Sequence, residues 1–191
     1  MQNKNIVIGV GNLLFCDDGI GVVAIKYLRE SFEFTPELEL LDGGTLGFNL
    51  AEYFLEYENV FIIDTISLDD EVGSIYKIPS DELLGGKSYK NTAHEVEVIQ
   101  MLQACELYDE KAEVTIFAIV PEDIKSVKIG LSESLSKSFD TLIETVIEAI
   151  EELGVEVRKK ADISLRRLEE SLLQRECHNE IKEKESLRCN I

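Results

Sequence analysis

Two histidines, His94 and His178, are all that this chain of 191 residues contains. A site for metal or proton transfer must therefore draw mainly on carboxylates. Long apolar runs are missing too. None approaches the roughly 20 residues that a spanning helix needs, so no membrane insertion is expected. Met1 to Asn5 lead directly into a strand, and no signal peptide is expected. Basic residues are scarce, with 19 Lys and Arg against 38 Asp and Glu, a formal charge of −19. Such a surface opposes unassisted nucleic-acid binding, which neutralises phosphates with Lys and Arg. It opposes anionic membrane surfaces for the same reason. The four cysteines (Cys16, Cys105, Cys177 and Cys189) form no C-x-x-C pair. Reduced thiols and a cytoplasmic protein are expected. No G-x-S-x-G elbow occurs, no P-loop lysine follows the glycines, and no segment repeats.

What is present describes a globular domain: 45% hydrophobic and 30% charged residues, enough to build one sizeable core. The charge is uneven. Arg158 to Ile191 hold nine basic and seven acidic residues; the preceding chain holds ten and 31. That shift divides the chain into an α/β domain over 1–157 and a charged, helical extension over 158–191.

Ile6-Val7-Ile8 reads as a short buried strand that runs into Gly9 and Gly11. Asp17, Asp18, Gly19 and Gly21 follow, and helix spacing begins at Ile20. Strands are expected over 37–41, 59–64, 72–78 and 113–120. Helices are expected over 46–57, after His94, and from Gly130-Leu131-Ser132 to Gly154. The strand 59–64 is apolar on both faces, as a central strand should be, and ends in Asp64. Strands alternating with helices predict a three-layer α/β/α sandwich around a twisted, mostly parallel five-stranded sheet. Leu165, Leu168 and Leu172 mark a helical seam too short for a coiled coil.

The chemistry gathers at strand ends. Gly9-Val10-Gly11 stands where a dinucleotide fingerprint would, but its third glycine position is Leu14. Two carboxylates there would repel a pyrophosphate, so nucleotide binding is not expected. Asp17, Asp18, Asp42 and Asp64 all lie at or just past strand ends. Two carboxylates with His94 would make an N/O set for a divalent first-row metal, with positions left for substrate. On spacing alone another reading stands beside it. Asp17 or Asp18 caps the first helix, Asp42 makes a turn and Asp64 is a satisfied strand-end acid. Cys16 lies beside carboxylates that disfavour a thiolate, and packing beneath the loop is its expected role. Cys177, His178 and Cys189 match no standard zinc spacing.

Taken together, the motifs resemble those of the hydrogenase maturation proteases. The resemblance rests on Gly9-Val10-Gly11-Asn12-Leu13-Leu14, Asp17-Asp18-Gly19-Ile20-Gly21 and Leu41-Asp42-Gly43-Gly44-Thr45-Leu46-Gly47. It continues in Ile62-Ile63-Asp64, around His94, and in Ile119-Val120-Pro121-Glu122 and Ile129-Gly130-Leu131-Ser132. It implies an endopeptidase that removes the C-terminal extension of a nickel–iron hydrogenase large-subunit precursor after nickel insertion. It implies that Asp18, Asp64 and His94 meet nickel carried by the substrate, with Asp18 or Asp64 as a catalytic carboxylate. Asp42, and with it Asp17, is implied in substrate recognition. A precursor-binding chaperone and another metal-dependent hydrolase are the alternatives. Members of the family end soon after the helix that closes here at Gly154. The added segment is expected to be an oligomerisation helix or a solvated appendage on a monomer or weak oligomer, with a docking arm, or a helix lying back on the acidic domain, as alternatives.

Overall fold

The computed structural model describes residues 4–45, 51–84 and 112–174. Five strands form the central sheet: β1 (Asn5–Val10), β3 (Glu39–Gly44), β4 (Asn59–Thr65), β5 (Ile75–Pro79) and β6 (Glu113–Ile119). Their spatial order is β3-β1-β4-β6-β5. The first four in that order run parallel, and β5 pairs antiparallel to β6 at the far edge. This is the expected mostly parallel five-stranded sheet. The expected strand at 72–78 starts at Ile75, because Gly73 turns the chain with a φ of +85°.

Each face of the sheet buries its own apolar layer. Val7, Phe61, Ile63, Phe117 and Ile119 meet α1 (Ile20–Ser31) and the long α4 (Glu133–Glu152). Ile6, Ile8, Val10, Val60, Ile62 and Ile116 meet Phe54 of α2 (Ala51–Glu56). Alternate residues of one strand thus fill two cores, which is why β1 and β4 read as unbroken apolar runs. A short α3 (Ser80–Leu84) follows β5. Ser132 begins α4 as expected: its side chain accepts from the Leu135 amide at 3.2 Å. The helices expected at 46–50 and after His94 lie outside the described residues.

A second sheet was not legible beforehand. β2 (Phe32–Thr35) pairs antiparallel with β7 (Glu156–Lys159). The boundary expected between residues 157 and 158 therefore falls inside a hydrogen-bonded strand. Beyond it, residues 165–174 form a helix, α5. Leu168 and Leu172 of α5 are buried in the same core as α1 and α4. Glu169 Oε1 accepts from the Leu131 amide at 2.8 Å, and Ser171 bonds Lys26 of α1. Up to residue 174 the added segment is packed onto the domain, not a solvated appendage. Among the described residues, no helix is long and apolar enough to cross a membrane.

Candidate functional site

From β1 the chain passes through α1 to β3 on one side, then returns to β4 on the other. The winding direction reverses between β1 and β4. A crevice opens at the carboxyl ends of such a strand pair, and open α/β sheets bind ligands there. Asp64 lies at the carboxyl end of β4, one residue past Ile63, which stands level with Gly9. Asp18 follows β1 through a tight turn. The topology thus delivers both acids to one end of two neighbouring strands.

Glycines make that turn possible. Gly11 has a φ of +134°, and a Cβ there would fall 1.7 Å from the Asp18 carbonyl oxygen. The backbone at Asp18 lies directly over the end of β1. A 3₁₀ turn, Cys16–Gly19, leads into α1. Neither Asp17 nor Asp18 caps that helix, whose N-cap is Gly19 without a side-chain bond. Asp18 is 6% exposed, and its Oδ2 accepts from the Asn12 amide at 3.0 Å. Asp64 is 4% exposed, and its Oδ1 accepts from the Thr65 amide at 2.7 Å.

Asp17 does something different from the recognition role expected of it. It is fully buried. Its Oδ2 accepts from the amides of Glu122 and Asp123, both at 2.9 Å, and its Oδ1 from the Ser132 amide at 2.7 Å. Backbone bonds follow the same path: Cys16 N to the Lys128 carbonyl at 2.8 Å and Asp17 N to the Asp123 carbonyl at 3.0 Å. Asp17 is the buried clamp that holds the loop 121–132 against the turn carrying Asp18. Hydrogen bonds to a buried charge are worth more than neutral ones. Asp17→Asn is expected to cost about 2 kcal/mol. Chemical denaturation of the two proteins measures it, and an unchanged midpoint would show that the clamp contributes nothing.

Cys16 is buried under this turn, in a left-handed conformation with φ 49°. Burial pushes its thiol above the ordinary range, and the Asp17 carboxylate adds to that. Alkylation by iodoacetamide at pH 8.5 should therefore be slower at Cys16 than at an unhindered thiol. Residue-resolved mass spectrometry reads this; labelling of Cys16 as fast as a model peptide contradicts it.

Asp42 lies on the other flank, at the end of β3. Gly9 pairs with Asp42 and Val10 with Gly44, so Gly43 is an extra, bulged residue. Bulges re-aim neighbouring side chains. Asp42 is exposed, and its Oδ1 accepts from the Gly44 amide at 3.1 Å. It lines a cavity of about 230 Å³ with Gly11, Asn12, Leu14 and Val22. Leu14 stands 44% exposed beside it. Asn12 joins the two halves of the site, because its amide holds Asp18 and the residue lines the cavity.

Asp18, Asp42 and Asp64 are therefore placed at one end of the sheet, and Asp17 behind them. His94 lies outside the described residues. Among those described, no three His, Cys, Asp or Glu residues cluster closely enough to hold a metal. The clamp function of Asp17 had no sequence signal, since its distant partners, the Glu122, Asp123 and Ser132 amides, are all backbone groups.

The family model described as hydrogenase maturation protease matches residues 22–149. A Methanocaldococcus jannaschii protein, provisionally named a hydrogenase maturation protease, is 32% identical over 158 residues. That alignment covers 78% of this chain and 99% of the relative. The hydrogenase 2 maturation protease of Escherichia coli is 28% identical over 79% of this chain and 93% of its own. Among solved structures, the hydrogenase maturating endopeptidase HybD from E. coli superposes with a TM-score of 0.76 at 26% identity. It covers 84% of this chain and 99% of HybD. The NiFe hydrogenase maturation protease HybD from Thermococcus kodakarensis gives a TM-score of 0.64 at 26% identity, over 77% of this chain and 99% of its own.

Proposed function

Because this chain belongs to the hydrogenase maturation protease family, a family of endopeptidases, we propose that it removes the C-terminal extension of a nickel–iron hydrogenase large-subunit precursor. Cleavage follows nickel insertion, and the nickel is part of the substrate. The observation that carries this reading is the pair of buried carboxylates, Asp18 and Asp64, at the crevice where the sheet's winding reverses.

Two carboxylates and the His94 imidazole form a modest nickel site by themselves. The precursor's own soft ligands supply the remaining affinity. Binding is then tight only when enzyme and loaded precursor meet, which makes cleavage a check on nickel insertion. The shared nickel fixes the precursor tail at the crevice. A carboxylate, Asp18 or Asp64, takes the proton from the attacking water. Asp42, exposed beside the cavity at the end of β3, contacts the precursor and contributes to recognition. The proposed setting is cytoplasmic.

The test is incubation with purified precursor, with and without nickel, followed by mass measurement. Loss of one C-terminal fragment only from the nickel-loaded form is the expected result. His94→Ala should abolish that loss while leaving the circular dichroism spectrum unchanged. Normal processing by that variant removes His94 from the site. Binding without any mass loss would favour a precursor-holding chaperone.

A further inference from the structure

The central sheet has two edges, and they differ. β5 carries Lys77 and ends in Pro79, two residues that discourage the addition of another strand. β3 carries neither, reading Glu-Leu-Leu-Asp-Gly-Gly. Among the described residues nothing pairs with its outer side. The Gly11 amide donates to the Gly44 carbonyl, so Gly11, Gly9 and Val7 face β3; Leu40, paired with Val7, by alternation turns outward, where its carbonyl accepts from Arg29 Nη2 at 2.7 Å. Arg29 stands where the amide of an incoming strand would.

Both ends of this edge open into cavities. At the carboxyl end is the cavity shared by Asp42, Gly11 and Asn12. At the amino end is a broad groove of about 1020 Å³, lined by Glu39 and Leu40 of β3 and by Lys4, Arg29 and Lys160. Three acids line the groove as well. Two of them are engaged: Glu33 pairs with Arg158, and Glu39 accepts from the Tyr57 hydroxyl. On a chain of net charge −19, a groove with three cations is unusual ground. Six residues of β3 span roughly 20 Å from one cavity to the other.

We propose that the severed tail of the precursor binds as an added strand along the outer edge of β3. This rests on the endopeptidase reading above. The tail runs antiparallel to β3. Its scissile end lies at the Asp42 cavity, and its C-terminal carboxylate lies in the groove of Lys4, Arg29 and Lys160. Main-chain bonds to Leu40 make the contact tolerant of tail sequence, and the cations make it specific for a free chain end.

Two nickel-loaded precursors test this, one with its full tail and one cut back to about four residues past the scissile bond. The wild-type enzyme should prefer the full tail by at least tenfold in kcat/KM. Leu40→Pro removes the outward amide, and the preference should fall towards one. Lys4→Glu with Lys160→Glu should lower it as well, and decides the matter if Leu40→Pro does not fold. Equal rates on both precursors with the wild type, or a preference kept by both variants, overturns the proposal. Cleavage of neither precursor overturns the endopeptidase reading itself. Hydrogen exchange supplies the second measurement: the Leu40 amide should slow only when precursor is added. An amide already slow without precursor means that a second copy, or residues 175–191, covers the edge, and the proposal fails.

Discussion

Gly21→Ala is expected to destabilise the protein by more than about 3 kcal/mol. A Cβ at position 21 would lie 2.3 Å from the carbonyl oxygens of both Ile63 and Val10, and 2.5 Å from the Val10 amide nitrogen. These are backbone atoms of β4 and β1, and no side-chain rotation relieves the clash. Gly9 faces Gly21 from β1, where a Cβ would fall 2.1 Å from the Gly21 carbonyl oxygen. Helix α1 crosses the sheet in backbone contact at this pair. Inserting a methyl group must lift the helix away from β1 and β4, and the turn with Asp18 moves with it. In a domain of this size the loss corresponds to roughly 6–12 °C in Tm. Gly154→Ala is the matched control. A Cβ there meets nothing within 4 Å, and only its φ of +81° opposes the change, worth about 1 kcal/mol. Thermal melts of both variants make the comparison. Equal shifts would mean that α1 does not rest on the sheet backbone at Gly21.

The second large effect is on rate. Asp64→Asn should slow cleavage of the nickel-loaded precursor by about 10²–10⁴-fold, the range for loss of a general base. The fold should survive. Asparagine keeps the Oδ1 acceptor that the Thr65 amide uses. Single-turnover rates across a range of precursor concentrations separate the two jobs proposed for this carboxylate. A fall in kcat with KM unchanged identifies proton transfer. A rise in KM for the loaded precursor alone identifies a nickel contact. Full activity would remove Asp64 from the site.

Much of this layout was legible in the residues. Ile6-Val7-Ile8 and Val60 to Ile63 read as central strands because both their faces are buried. Ile20 marks the true start of α1, and Ser132 that of the long α4. Asp64 was legible because it ends an apolar strand, where open sheets keep their chemistry. Other features left no local trace. Phe32–Thr35 and Glu156–Lys159 are four residues each, too short for a periodic signal, and they pair across more than 120 positions. Asp17 and Asp18 are identical neighbours in sequence. Only the arrival of the Glu122, Asp123 and Ser132 amides separates the clamp from the residue facing the crevice. The basic shift after Gly154 suggested a boundary there, yet β7 and the buried Leu168 and Leu172 tie that segment to the core.

The bonds that Asp17 makes have a consequence for biosynthesis. They join residues 105, 106 and 115 positions apart, so the set is not complete until Ser132 has left the ribosome. Closing so wide a loop is slow compared with the local folding of α1. A nascent chain long enough to contain Asp18, Asp42 and Asp64 still lacks the amides that hold the turn in place. Competence to cut therefore arrives late, only once Ser132 can reach Asp17. A ribosome-bound chain halted at residue 115 should resist proteolysis less well around Cys16 than one halted beyond residue 174.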